Sequence, residues 1–205
     1  MNFLAHAWLA SQHPAADAGL IAGGVAGDWI KGPLAGAGAG LPPGLTRGVA
    51  LHRAIDTFAD THPAFRTSRL RCAPEHRRWS GVLVDMFYDH LLARDWAKWH
   101  PEELDVFVDR VHAALASSID DLPADARPAL RLMVEQGWLE SYASLDGLDD
   151  VLHRMSRRAR QPNPLAAGRS DFERAGEGLK ADFAEFMIDA TDFVVRWRWP
   201  PAAGG

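Results

Sequence analysis

Residues that fit a pleated strand are scarce in this chain. Its 205 residues include 11 valines, 5 isoleucines and 5 threonines, against 34 alanines and 22 leucines. Ala and Leu favour helices, whereas strands are built on β-branched and aromatic side chains. The sequence therefore predicts an all-α fold, a single-domain helical bundle of about eight to nine helices. A chain of this length buries a core without metal or disulfide staples. Its one cysteine, Cys72, excludes an internal disulfide framework and any cysteine-based zinc finger.

Helical periodicity runs through segments near 2–11, 15–31, 44–60, 64–71, 75–99, 101–119, 124–142, 145–160 and 170–197. The breaks fall at Pro33 with the Gly/Ala run 35–40, at Pro42-Pro43, Pro63, Pro74, Pro101 and Pro123, and at Pro162-Asn163-Pro164. Pro101 followed by Glu102-Glu103 suits a helix start, with proline in the first position and acids at the positive dipole end. Ser170 and Glu173 have capping-box spacing. Residues 1–200 read as one domain, 201–205 as a loose tail and 35–40 as a mobile loop. No apolar run reaches the roughly 18 residues of a membrane span. No basic region precedes the apolar start Phe3-Leu4-Ala5, so no signal peptide is expected and the chain is expected to be cytoplasmic. A formal net charge of −5 argues against a nucleic-acid partner. The eight tryptophans, several near helix ends (Trp96, Trp99, Trp197, Trp199), suit either a core or a subunit interface.

The acids of the first half stand in unusual surroundings. Over residues 81–93, Tyr88 apart, the polar side chains are Asp85, Asp89 and His90. A helix apolar on all sides belongs at a protein's centre, and a spacing of four puts Asp85 and Asp89 on one face. Two adjacent buried carboxylates repel, and each uncompensated charge costs several kcal/mol. A metal, an arginine or shared protons must neutralise them. The pattern recurs in His52, Asp56 and Asp60 on an otherwise apolar helix, in Asp28 closing the apolar run 20–27, and in His6 between Phe3-Leu4-Ala5 and Ala7-Trp8-Leu9. Taken singly, each has a plainer reading: His6 as a hydrogen-bonded core histidine, Asp28 paired with Lys31, His52 with Asp56 as an ordinary side-chain pair. Together they suggest a metal site built from facing helices. Mixed imidazole and carboxylate ligands suit Mn, Fe or Zn better than calcium. The other histidines (His13, His62, His76, His100, His112, His153) lie near prolines or charges and are expected at the surface.

Met1-Asn2-Phe3-Leu4-Ala5-His6, Gly27-Asp28-x-x-Lys31-Gly32, His52-Arg53-x-Ile55-Asp56-x-x-x-Asp60 and Asp85-x-x-x-Asp89-His90, in this order and spacing, resemble the acyl carrier protein phosphodiesterase family. Further along, Glu135-Gln136-Gly137-Trp138-Leu139 fits the same family. The resemblance implies a phosphoric diester hydrolase that removes 4′-phosphopantetheine from holo acyl carrier protein, giving the apo form. It also implies a divalent metal, usually Mn²⁺ with Fe, Mg or Zn as alternatives, and a divergent HD-domain-like helical fold. The His-Asp doublet of that wider group is absent, and the chain reads Asp89-His90 instead. Carried onto this sequence, the resemblance puts His6, Asp28, His52, Asp56, Asp85 and Asp89 at the metal. With these at the metal, His90 is the candidate proton donor to the departing serine oxygen or else a ligand, Lys31 and Arg53 are candidate phosphate binders, and Asp60 orients a ligand.

Charge distribution then acquires a meaning. Residues 1–100 carry ten Lys/Arg against eight Asp/Glu, and residues 101–205 carry twelve against nineteen. If five of the eight acids face a metal, the first half keeps a basic rim on which an acidic acyl carrier protein would dock. Arg66, Arg69, Arg71, Arg77 and Arg78 are its candidates. A second basic group lies at Arg154, Arg157, Arg158 and Arg160. The competing readings are an HD-like phosphohydrolase acting on a small nucleotide or other phosphodiester, and a non-enzymatic helical adaptor with structurally buried acids.

Overall fold

Ten α-helices and five short 3-10 turns form the regular structure of the described residues, and no strand occurs among them. The computed structural model of the chain describes residues 2–34, 40–159 and 161–199. Most of the expected loop at 35–40, Arg160 and the 201–205 tail therefore lie outside the described residues. The helices are α1 (Phe3–Ser11), α2 (Ala18–Ala26), α3 (Pro43–Thr61), α4 (Pro63–Arg71), α5 (Ser80–Arg94), α6 (Leu104–Ser118), α7 (Arg127–Glu135), α8 (Trp138–Ser141), α9 (Leu145–Arg158) and α10 (Arg169–Arg196). The all-α expectation holds. The tenth helix arises where the periodic stretch 124–142 breaks at Gly137, whose left-handed backbone (φ +57°) α7 cannot continue through.

Two helix starts differ from expectation. Residue 101 does not open α6, which begins at Leu104 behind an extended Glu103. The Trp96 indole donates to the Glu102 carbonyl (2.8 Å) and holds residues 101–103 outside the helix. The capping box at Ser170 does not form either, because the helix already includes that residue. Its Oγ donates to the Ala167 carbonyl (2.8 Å), while Glu173 accepts from Arg169 (2.9 Å).

The core is one connected cluster of buried side chains, with α5 packed against α1, α4, α9 and α10. Helices α2 and α3 pack backbone against backbone. A Cβ on Gly23 would run into the Leu45 carbonyl, and one on Gly48 into the Leu20 carbonyl. Only glycine lets the two backbones touch there, and that contact sets the end of α2 against the middle of α3.

Three buried acids cross-link distant elements. Asp89 of α5, wholly buried, accepts from the main-chain N–H groups of Leu4 and Ala5, each at 2.9 Å. It satisfies the first turn of α1, where the N-cap residue Asn2 makes no side-chain cap. Asp182 of α10 accepts from Ser68 Oγ (2.9 Å) and bidentately from Arg71 (2.7 and 3.1 Å), and Ser68 also bonds Tyr88 of α5. Asp171 takes His76 Nδ1 (2.6 Å), the Ala73 N–H (3.0 Å) and Arg174 (2.6 Å).

These links overturn part of the histidine expectation. His13, His62 and His76 are buried. His62 Nδ1 accepts from the Ala64 N–H, leaving Nε2 to donate to Asp189 Oδ2 at 3.1 Å. His13 caps its own turn through the Ala15 N–H and donates to the Trp197 carbonyl. The partners of His62 and His76 lie 127 and 95 residues away, so nearby prolines and charges gave no sign of them. Tryptophans serve the core: Trp96 packs on Phe107, and Trp99 meets Trp8 and Phe183 edge-on. No helix among the described residues is long and apolar enough to cross a membrane.

The Asp171 carboxyl is held below the usual aspartate range: burial opposes its charge, but Arg174, His76 and the Ala73 N–H outweigh burial. A carboxyl whose pKa is lower folded than unfolded stabilises the fold above its unfolded value, near pH 4, and loses that contribution as pH falls further. Asp171→Asn is expected to lower the unfolding free energy by about 1–3 kcal/mol at pH 7. The gap to wild type should narrow below about pH 4. Urea denaturation at neutral pH and at about pH 3.5 measures this, and a gap that stays constant or widens in acid contradicts it.

Candidate functional site

The contact between α2 and α3 creates a slot for one imidazole. His52, buried on α3, has its Nδ1 2.7 Å from the Gly24 carbonyl. A carbonyl only accepts, so Nδ1 carries the hydrogen and its position is fixed by the last turn of α2. On one side of the ring stands Gly27, where a Cβ would overlap the imidazole carbons. The His6 ring from α1 stacks on the same imidazole, at 3.8 Å between centroids and 19° between planes.

His52 Nε2 points to two carboxylates, Asp56 Oδ2 at 3.2 Å and Asp28 Oδ1 at 3.4 Å. His6 Nε2 meets Asp56 Oδ1 at 3.1 Å. Asp56, one turn along α3 from His52, thus lies against both rings, and Asp28 reaches them from the 3-10 turn at Gly27–Trp29. The candidate ligand atoms of His6, His52 and Asp56 all lie within 4.8 Å of one another. Asp28, Asp56, Asp60 and Asp85 line a pocket of about 250 Å³ with Ala59, Phe65 and Gly81.

Electrostatics follow from this crowding. Burial and the neighbouring His52 lower His6 to about 3, so His6 is neutral at physiological pH. Burial also works against charge on His52, but Asp28 and Asp56 outweigh it and raise His52 to about 9. Asp56 is held well below the usual carboxylate range, since the two rings more than offset its burial. Burial pushes the Asp85 carboxyl up. Two buried ring nitrogens, His6 Nδ1 and His52 Nε2, have no partner with hydrogen-bond geometry. The Nε2 atoms of both imidazoles converge on Asp56, and that of His52 has no hydrogen bond of good geometry, so the three side chains make a donor set that fits a first-row divalent metal.

The pocket region therefore gathers His6, Asp28, His52, Asp56, Asp60 and Asp85. It does not gather Asp89, whose two oxygens cap α1, nor His90. The His90 Nδ1–H donates to the Tyr142 carbonyl (2.7 Å) and its ring meets Phe172 edge-on. Arg53 turns its fork onto the carbonyls of Ile30 (2.6 Å) and Gly32 (2.8 Å), fixing the segment that follows Asp28. Lys31 is exposed and does not line the pocket, and Asp28 approaches His52 rather than Lys31. The motif Gly27-Asp28 does not by itself announce that Gly27 leaves room for an imidazole. What signal there was lay in a glycine immediately before the acid that closes an apolar helix. Phe65 in the pocket wall had no such signal.

A family model described as acyl carrier protein phosphodiesterase matches residues 1–190, a span that contains every pocket residue. Proteins named acyl carrier protein phosphodiesterase from Salmonella agona, Salmonella newport and Salmonella heidelberg are each 31% identical over 187 residues. The matches cover 91% of this chain and 93% of each relative. No solved structure matches significantly.

Gly27→Ala tests the imidazole slot. The added methyl must displace the His52 ring, so affinity for Mn²⁺ by isothermal titration calorimetry is expected to fall about 10–100-fold, as when a supporting partner of a ligand is lost. The helical circular dichroism should be unchanged. Undiminished Mn²⁺ affinity in a folded Gly27→Ala protein contradicts the slot.

Proposed function

The chain belongs to the acyl carrier protein phosphodiesterase family, and from that membership and the chemistry of its pocket we propose that it hydrolyses the phosphodiester joining 4′-phosphopantetheine to holo acyl carrier protein. The products are the apo carrier and free phosphopantetheine. The observation that carries this reading is the convergence of His6, His52 and Asp56 beside the acid-lined pocket. Four carboxylates alone repel an anionic phosphodiester, so the pocket serves that substrate only with a cation in it. In this reading His6, His52 and Asp56 hold a divalent metal, Mn²⁺ in first place with Fe, Mg or Zn as alternatives, and Asp28 lies beside them. Such a metal, when bound, supplies Lewis acidity to the phosphoryl oxygens and lowers the pKa of a water.

The remaining steps fall to the chain itself. Asp60 and Asp85 face the pocket and are the groups in position to move a proton to the departing serine oxygen. His90, turned to Tyr142 on the far side of α5, is not. Arg53 acts through the backbone it holds, keeping the Asp28 segment in place. The divergent HD-domain-like relation belongs to the same proposal, with ligands drawn from separate helices and no His-Asp doublet. The basic rim reduces to Arg66, Arg69, Arg77 and Arg78, since Arg71 is bound bidentately to Asp182.

Incubating the protein and Mn²⁺ with holo carrier protein is expected to lower the carrier's mass by one phosphopantetheine, read by intact-protein mass spectrometry. An unchanged carrier beside a hydrolysed nucleotide would favour the small-substrate alternative and overturn this one. Asp85→Asn is expected to abolish turnover while the helical signal survives. Asp89→Asn, which weakens the cap on α1, is expected to lower thermal stability first, by about 1–3 kcal/mol. Full activity in Asp85→Asn contradicts the pocket assignment.

A further inference from the structure

The pocket has a neighbour on its outer side. Helix α4 runs past its mouth: Phe65 faces in, and the Arg66 Nε donates to the Asp60 carbonyl at 3.0 Å. On the outer face Arg66, Arg69 and Leu70 join Arg77 and Ser80 around a shallow cavity of about 330 Å³. Neighbouring residues of the same elements line the two: Phe65 and Gly81 the inner cavity, Arg66 and Ser80 the outer one. Leu70 is 68% exposed, more than any other large hydrophobic residue among those described. No acid lines the cavity.

We propose that Leu70 is the apolar seat of a docking surface for the protein substrate, which presents an aliphatic side chain to it and carboxylates to Arg66, Arg69 and Arg77. The inference rests on the function proposed above and adds the place and chemistry of substrate docking. Beside three arginines, Leu70 offers an apolar surface whose burial by a partner adds affinity in proportion to the area covered. Three arginines with no counter-acid in the cavity select an acidic partner and speed its approach. A single-stranded nucleic acid would need exposed aromatic rings for stacking, and this cavity has none. A partner seated here lies against α4, the helix whose Phe65 lines the inner pocket with Asp60 and Asp85.

The test measures kcat and KM for holo carrier protein with wild type, Leu70→Glu and Leu70→Lys. Residue 70 is exposed and outside the catalytic pocket, so both variants should fold, as circular dichroism will report. An apolar seat predicts that both substitutions raise KM about tenfold, the loss of one well-seated contact, with kcat unchanged. A KM left unchanged by Leu70→Lys would overturn the seat, because a purely electrostatic rim tolerates an added positive charge. An unchanged KM in Leu70→Glu would overturn docking at this cavity altogether. If wild type itself fails to release phosphopantetheine, the proposed function falls and this inference with it, an outcome distinct from both.

Discussion

The bare contact between α2 and α3 is the constraint on which the rest of the site depends. Gly23 and Gly48 bring two backbones together at a distance no side chain permits, and the end of α2 then lies over the middle of α3. His52 and Asp28 are placed by that step. The Gly24 carbonyl fixes the His52 tautomer, Gly27 leaves room for its ring, and Asp28 reaches it from the next turn. Interiors are close-packed and transmit a shift of one methyl group, so a small change at this contact moves an imidazole.

Helix α1 completes the cluster, and its placement has a separate cause. Its first turn has no cap of its own and is satisfied by Asp89 from α5. That bond holds α1 with His6 stacked on His52. Leaving two buried N–H groups unpaired would cost about 1–3 kcal/mol each. The buried carboxylate thus acts on the site through a backbone and not by contact. Asp171 and Asp182 do comparable work at the other end of the bundle, where each ties α10 to the segment around α4.

Helical class, the segment boundaries to within a few residues and most of the clustered acids were legible from local pattern. Apolar helices carrying isolated acids and histidines announce polar groups that must meet a partner. Direction was not legible. Asp85 and Asp89 share a face by spacing, yet four residues turn a helix about 40° past a full circle. That offset, with α1 docked over the second acid, sends one carboxylate into the pocket and the other into a helix end. His90 and Arg53 were misjudged for a related reason: their acceptors are main-chain carbonyls of Tyr142, Ile30 and Gly32, and residue types do not advertise carbonyls. The buried His62 and His76 escaped notice because their acids arrive from α10, at the far end of the chain.

The net charge of −5 describes the whole chain poorly. Half of the acids of residues 1–100, Asp28, Asp56, Asp60 and Asp85, line one pocket. The central claim is that His6, His52 and Asp56 are metal ligands. Anomalous diffraction from crystals grown with Mn²⁺ measures it directly. The account predicts the strongest Mn²⁺ peak between those three side chains, next to Asp28. A peak elsewhere in the molecule, with His6 and His52 still stacked and unligated, would contradict it.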